Sequence, residues 1–248
     1  MSFISYESVS AFCKDFFSKI SMFTTVLLSI IVCVFLSGGS QFLRSFSTIV
    51  TLKDFSSGVV GMFTHSFVHA NILHIVMNSM ALFGFGCTVE YRIGTVKFIV
   101  LFIVSLVFNP VFILSAASIG LIYNTDVVGM SGFLFTLMVV EYYKEDGYID
   151  IIYSITINIV IYIIGILFQM PVSLAGHFSG ILVGFLYTRG FLDFLFDNRV
   201  IDFIEKKMEL ALGCLVLFKP AQHIEKKSHV EILHTIKSDI KNMFVCLF

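Results

Sequence analysis

Three short stretches of this 248-residue chain carry side chains that could do chemistry together. Gly129-Met130-Ser131-Gly132 sets a hydroxyl between glycines at the head of an apolar run. Residues 65–78, HSFVHANILHIVMN, supply His65, His69, His74 and Asn78, and residues 175–184, AGHFSGILVG, supply His177, Gly180 and Gly184. A serine hydroxyl is a weak nucleophile until a base takes its proton, and His177, with a reference pKa of about 6.5, is the base this inventory offers. An oxyanion formed by attack of Ser131 needs hydrogen-bond donors. The candidates are the Asn78 amide, the His74 imidazole and the backbone N–H of Ser131 at a helix start. His74 and Asn78 are four residues apart, which puts them on one helix face.

The composition says where such chemistry would take place. The chain is 57% hydrophobic and 13% charged, with a mean hydropathy of +0.94 and 29 phenylalanines. Soluble domains carry about 25% charged residues, so this is the composition of an integral membrane protein. A net charge of −1 and a pI near 6.6 lack the basic excess that a nucleic-acid partner requires. The five cysteines, Cys13, Cys33, Cys87, Cys214 and Cys246, are scattered without CxxC spacing, which argues against a zinc site or a disulfide framework. Neither a cleavable signal peptide nor an Arg-rich transit peptide is recognisable at the start.

Apolar runs separated by charges and helix breakers predict six membrane spans: residues 20–37, 72–89, 98–116 with Pro110 inside as a kink, 127–140, 151–169 and 174–187. Residues 40–70, punctuated by Ser and Gly, read as a long outer loop lying partly in the interface. The domain plan is therefore a short N-terminal segment (1–19), a six-helix membrane domain (20–194) and an amphipathic tail (195–248), whose best apolar run, residues 210–218, is too short to span. Lys14, Lys19, Arg92, Lys97, Lys144, Arg189 and Arg199 fall on one side, and Arg44 and Lys53 on the other. The positive-inside rule then places both termini in the cytoplasm.

In that topology spans two, four and six all run inward, so depth can be counted back from the charge at each inner end. Asn78 lies 12 positions before Glu90, Ser131 10 before Glu141, and His177 12 before Arg189. At ~1.5 Å per residue all three sit near mid-depth of a ~30 Å hydrocarbon core. Taken singly, each has another reading. A GxSG in a membrane helix can be a small-residue packing surface, an intramembrane His a structural hydrogen-bonder, and Gly180-x-x-x-Gly184 a close-contact seam. The agreement in depth favours chemistry, with Gly180 and Gly184 letting span six approach span four. No Asp or Glu shares that depth, so the expected pair is Ser-His without a third carboxylate.

Together these residues resemble the rhomboid intramembrane serine proteases. The resemblance runs from about residue 63 to 187 and rests on Gly129-x-Ser131-Gly132, His177-x-x-Gly180-x-x-x-Gly184 and His74-x-x-x-Asn78. It extends to the upstream His65 and His69, and to the Val89-Glu90-Tyr91-Arg92-Ile93-Gly94 exit of span two. It implies an all-α, six-transmembrane-helix rhomboid-like bundle that cleaves single-span membrane proteins near their outer membrane boundary. Its site would be a water-filled cavity with Ser131 as nucleophile, His177 as base, and His74 and Asn78 as oxyanion donors, with Gly132, Gly180 and Gly184 as packing residues and no metal or cofactor. The chain departs from the family in having Phe135 where many members place a phenol one turn after the serine, and in having no Trp. The rival readings are a catalytically inactive rhomboid-like protein that binds membrane clients, and a transporter. The second is disfavoured because no inverted repeat is found.

Overall fold

The computed structural model describes residues 21–39, 55–121, 128–142, 148–167, 172–196 and 198–213. Every regular element among them is helical. In chain order they are α1 (Met22–Leu36), α2 (Phe55–Thr64), α3 (Ile72–Ile93), α4 (Thr95–Ser118), α5 (Ser131–Tyr142), α6 (Tyr148–Leu167), α7 (Leu174–Thr188) and α8 (Arg199–Gly213), with a four-residue helical turn, Asp193–Phe196, before the last. A 3-10 turn, His65–Phe67, leads into α3, and a π-helical turn, Leu82–Gly86, interrupts it. By length and composition α3 and α4 can cross a membrane; α1, α5, α7 and residues Ser154–Gly165 of α6 are shorter apolar helices.

The core is built around α5. All nine residues from Gly132 to Val140 are buried, so this helix is apolar all round and enclosed by its neighbours. Phe98 and Phe102 of α4 meet Phe133 edge-on, with centroids 5.5 and 5.1 Å apart, and Phe23 of α1 packs against the same two rings. On the outside the pattern inverts: Ile159 to Ile164 of α6, together with Ile72, Val76 and Met77 of α3, stand exposed. An apolar wall outside a packed interior is the surface that lipid, rather than water, accommodates.

Helix ends that a lipid core cannot solvate are capped across helices. The carboxylate of Glu90, 2% exposed, accepts from the Phe23 and Thr24 amides at 2.9 and 2.8 Å and from the hydroxyls of Thr24 and Thr95. It closes the N-terminus of α1, whose own N-cap, Ser21, makes no side-chain cap. Arg92, two residues on, reaches the C-terminal end of α5: it donates to the Val140 carbonyl at 2.6 Å and pairs with Glu141 at 3.4 Å. Glu205 of α8 does for α4 what Glu90 does for α1, accepting from the Thr95 and Val96 amides at 2.8 and 2.7 Å. Gly94 turns the chain between α3 and α4 at φ +89°, and a Cβ there would strike that Glu205 carboxylate.

The expected helix boundaries hold to within a few residues, with two corrections. Part of the expected outer loop is helix α2; the rest of it, residues 40–54 with Arg44, Lys53 and Asp54, lies outside the described residues. The fourth span starts as a helix at Ser131 and not at 127, because Gly129 adopts φ +99° and turns its N–H to the His65 carbonyl at 2.9 Å. Pro110 lies inside α4, which continues through it. Residues 1–20, with Lys14 and Lys19 of the orientation argument, and 214–248 lie outside the described residues, as does Lys144.

Candidate active site

Ser131 and His177 meet at the crossing of α5 and α7. Ser131 Oγ is 2.9 Å from His177 Nε2. Ser131 is the first residue of α5, so its hydroxyl projects from an open helix end, partly exposed, while His177 is 4% exposed. With 12 residues, α5 rises only about 18 Å. Its C-terminal end is held by Arg92, and its N-terminal end therefore falls about half a bilayer thickness away.

Glycines make the crossing possible. A Cβ on Gly180 would fall on the Gly132 carbonyl oxygen, one on Gly132 would collide with the Asn109 amide, and one on Gly184 would lie 2.7 Å from Val139 Cβ. Polar side chains then tie the helices that have come together. Thr136 of α5 donates to the Gly180 carbonyl of α7 at 3.0 Å and bonds Ser105 of α4 at 3.1 Å, and Ser179 of α7 hydrogen-bonds Asn109 of α4. Such interhelical bonds act as glue where no hydrophobic force separates helix from lipid.

The ring of His177 is held on three sides. Nε2 faces Ser131, and Phe135, one turn along α5 from the serine, stacks on the ring face at 4.4 Å with planes 27° apart. Nδ1 donates to Oδ1 of Asn158 on α6 at 2.9 Å. A carbonyl oxygen only accepts, so the proton sits on Nδ1 and Nε2 is left as the acceptor for the serine hydroxyl. A reading of the sequence for a third carboxylate finds none and passes over this amide, which stands inside an apolar run of isoleucines with no motif to mark it.

His74 lies on the other side of the serine turn. The Asn71 side chain caps α3 by accepting from the His74 amide at 2.8 Å, and the Ala70 N–H points at His74 Nδ1 at 3.3 Å. With Nδ1 as acceptor the ring proton is on Nε2, and that edge covers Gly129. A Cβ on Gly129 would sit 2.8 Å from Nε2, a second reason besides φ for glycine at this position. Asn78 is buried one turn along the same face, where its amide donates to the His74 carbonyl at 2.8 Å rather than to Ser131 or His177. Its Oδ1 has no partner.

His65 and His69 stand apart from the Ser131–His177 contact. The His65 imidazole is tied to the Gly61 and Met62 carbonyls through Nδ1 and to Ser66 through Nε2, while its own carbonyl holds the Gly129 turn. The rings of His69 and His74 meet edge-on at 5.1 Å. Among the described residues, no three of His, Cys, Asp and Glu are grouped as ligands for a shared ion.

Comparison with known proteins gives one family. Its model, the rhomboid domain, matches residues 56–194. The chain is 30% identical over 152 residues to rhomboid-like protein 15 of Arabidopsis thaliana, covering 55% of this chain and 38% of that protein. It is 29% identical over 223 residues to rhomboid-type serine protease 2 of Neurospora crassa (79% and 76%), and 24% identical over 186 residues to the rhomboid protease GlpG of Haemophilus influenzae (73% and 95%). It spans little more than a third of the Arabidopsis protein, and 58% of a serine protease 2 from Candida albicans. With more than half its length matched by that model, the chain belongs to the rhomboid family.

Proposed function

We propose that the protein is an intramembrane serine endopeptidase that cleaves single-span membrane proteins. The single observation that carries this reading is the 2.9 Å contact between Ser131 Oγ and His177 Nε2 at the open end of the central helix. It is supported by relatives named as rhomboid-type serine proteases. In this reading the chain forms a six-span bundle in the lipid bilayer with both termini cytoplasmic, and the site opens toward the outer side.

His177 Nε2 takes the Ser131 proton as Oγ attacks the scissile carbonyl carbon. The negative charge that develops on the carbonyl oxygen is met by the Ser131 backbone N–H at the helix start, by His74 Nε2–H and by Asn78. The imidazolium then gives its proton to the leaving amine. In the second half-reaction water, deprotonated by the same nitrogen, attacks the acyl-serine; the C–Oγ bond breaks, the acid is released and the imidazolium returns its proton to Ser131 Oγ.

The test is co-expression with a panel of tagged single-span substrates, comparing wild type with Ser131→Ala. Cleavage that depends on Ser131 supports the proposal. Absence of cleavage across the panel, with substrates still co-purifying, points instead to an inactive client-binding protein.

A further inference from the structure

Asn158 is, with Ser154 one turn before it, a polar side chain that α6 buries in the bundle, and it stands beside the catalytic pair. It is 5% exposed, next to a face on which Ile159 to Ile164 look outward. An amide buried in an apolar helix is costly unless hydrogen-bonded, and the bond it makes here is to His177 Nδ1, at 2.9 Å. We infer that Asn158 is a positioning residue for the peptidase reaction, completing a Ser131–His177–Asn158 line in which the amide oxygen fixes both the tautomer and the in-plane orientation of the imidazole. This inference rests on the proposed function.

The geometry separates this role from simple helix glue. An interhelical bond made only for packing could end on any polar atom of α7, such as a backbone carbonyl. This one ends on the ring nitrogen that must keep its proton while the opposite nitrogen receives one from serine. Phe135 restrains the ring from its face but has no polar atom with which to choose a tautomer. Asn158 makes that choice with a neutral group, so no buried carboxylate is needed at mid-membrane. When Nε2 is protonated in the transition state, the Oδ1 dipole already points at the cation that forms.

The experiment uses the purified full chain with a single-span substrate. kcat, KM and the pH dependence of kcat/KM are measured for wild type, Asn158→Leu, Asn158→Asp and Ser131→Ala. Asn158→Leu should lower kcat roughly 10- to 100-fold with KM little changed, a part of the 10²- to 10⁴-fold that a positioned base contributes. Asn158→Asp keeps the acceptor and adds a charge that favours imidazolium. It should recover much of the turnover and move the acidic limb of kcat/KM to higher pH. His74 is the titratable group that acts on His177 across the site and is common to all variants. Ser131 and Phe135 of α5 and Asn158 of α6 are uncharged.

Wild-type kcat in Asn158→Leu, or an unshifted acidic limb in Asn158→Asp, would overturn the inference while leaving the peptidase reading in place. If Asn158→Leu does not fold, the limb of Asn158→Asp decides alone. Substrate cleaved equally by Ser131→Ala would remove the peptidase reading itself, an outcome distinguishable from either.

Discussion

Gly180 of α7 lies directly against the backbone of Gly132 in α5, so close that a Cβ on the first would collide with the carbonyl oxygen of the second. The contact is backbone on backbone, and no side-chain rotation relieves it. Because Ser131 and His177 sit one residue before and three residues before these glycines, the same approach sets the reach of the imidazole to the hydroxyl. Gly180→Ala should therefore separate the helices, lowering stability by roughly 1 to 3 kcal/mol or more and stretching the Ser131–His177 contact. Thermal unfolding and cleavage measured on one detergent preparation check this. Full activity at an unchanged Tm would mean the helices do not need this approach.

Removing either member of the pair should act without touching the packing. Ser131→Ala and His177→Ala should each bring cleavage to background, because one deletes the proposed nucleophile and the other its proposed base. Expression and membrane insertion should be retained. A serine-reactive phosphonate should label wild type at Ser131, and a chelator should leave activity unchanged. Chelator-sensitive cleavage would redirect the mechanism to a metal.

How much of this was legible in the sequence depends on how each residue announces itself. Ser131 and His177 stand out because glycines and a polar group interrupt apolar runs, and their shared depth follows from counting residues to a charge. Asn158 has no such frame. One amide among isoleucines barely perturbs an apolar run, and its partner lies 19 residues away on another helix. Thr136 and Ser105 are equally silent, since hydroxyls are tolerated in apolar helices whether or not they bridge. Helix α2 escaped because Ser56, Ser57, Gly58 and Gly61 read as loop punctuation. Glu205 falls in the stretch expected to be an amphipathic tail, and only three-dimensional proximity shows that its carboxylate caps α4.

The two capping carboxylates give a graded prediction. Glu205 is partly exposed and caps two amides, so Glu205→Ala should cost about 0.5 to 2 kcal/mol, as loss of an N-cap does. Glu90 is buried and accepts four hydrogen bonds from three residues on two helices. Its removal strands several donors, each costing about 1 to 3 kcal/mol, so Glu90→Ala should be the more damaging change by a clear margin. Melting temperatures of the two variants settle the order. A Glu205→Ala protein as damaged as Glu90→Ala would show that α8 is integral to the bundle.

His65, in the segment before α3 and outside the spans, predicts acid sensitivity. Burial holds its imidazole down to about 4. The unfolded chain binds that proton from about pH 6.5, so between 6.5 and 4 the unfolded state carries more protons and stability falls as pH is lowered. The full effect is about 3 kcal/mol. His65→Asn can still donate to the Gly61 and Met62 carbonyls but does not titrate, so its stability should fall less steeply across that window. Parallel curves for the two proteins would show that His65 is not the group responsible.

Asn78 offers the sharpest separation of a chemical role from a packing one. Among the described residues its amide donates to the carbonyl one turn back on its own helix, and its Oδ1 is buried without a partner. A buried unsatisfied acceptor costs about 1 to 3 kcal/mol, so Asn78→Ala should leave Tm unchanged or raise it. If the amide instead serves the oxyanion, it acts only once charge develops on the substrate oxygen. The same change should then lower kcat by roughly 100- to 1,000-fold with much less effect on KM. Activity should fall without vanishing, since His74 and the Ser131 N–H remain as donors. A slow enzyme that is no less stable is the expected result, because that combination is what a residue retained for chemistry at the expense of packing produces. A destabilised variant with normal kcat would take Asn78 out of the site and leave the oxyanion to His74 and the helix end.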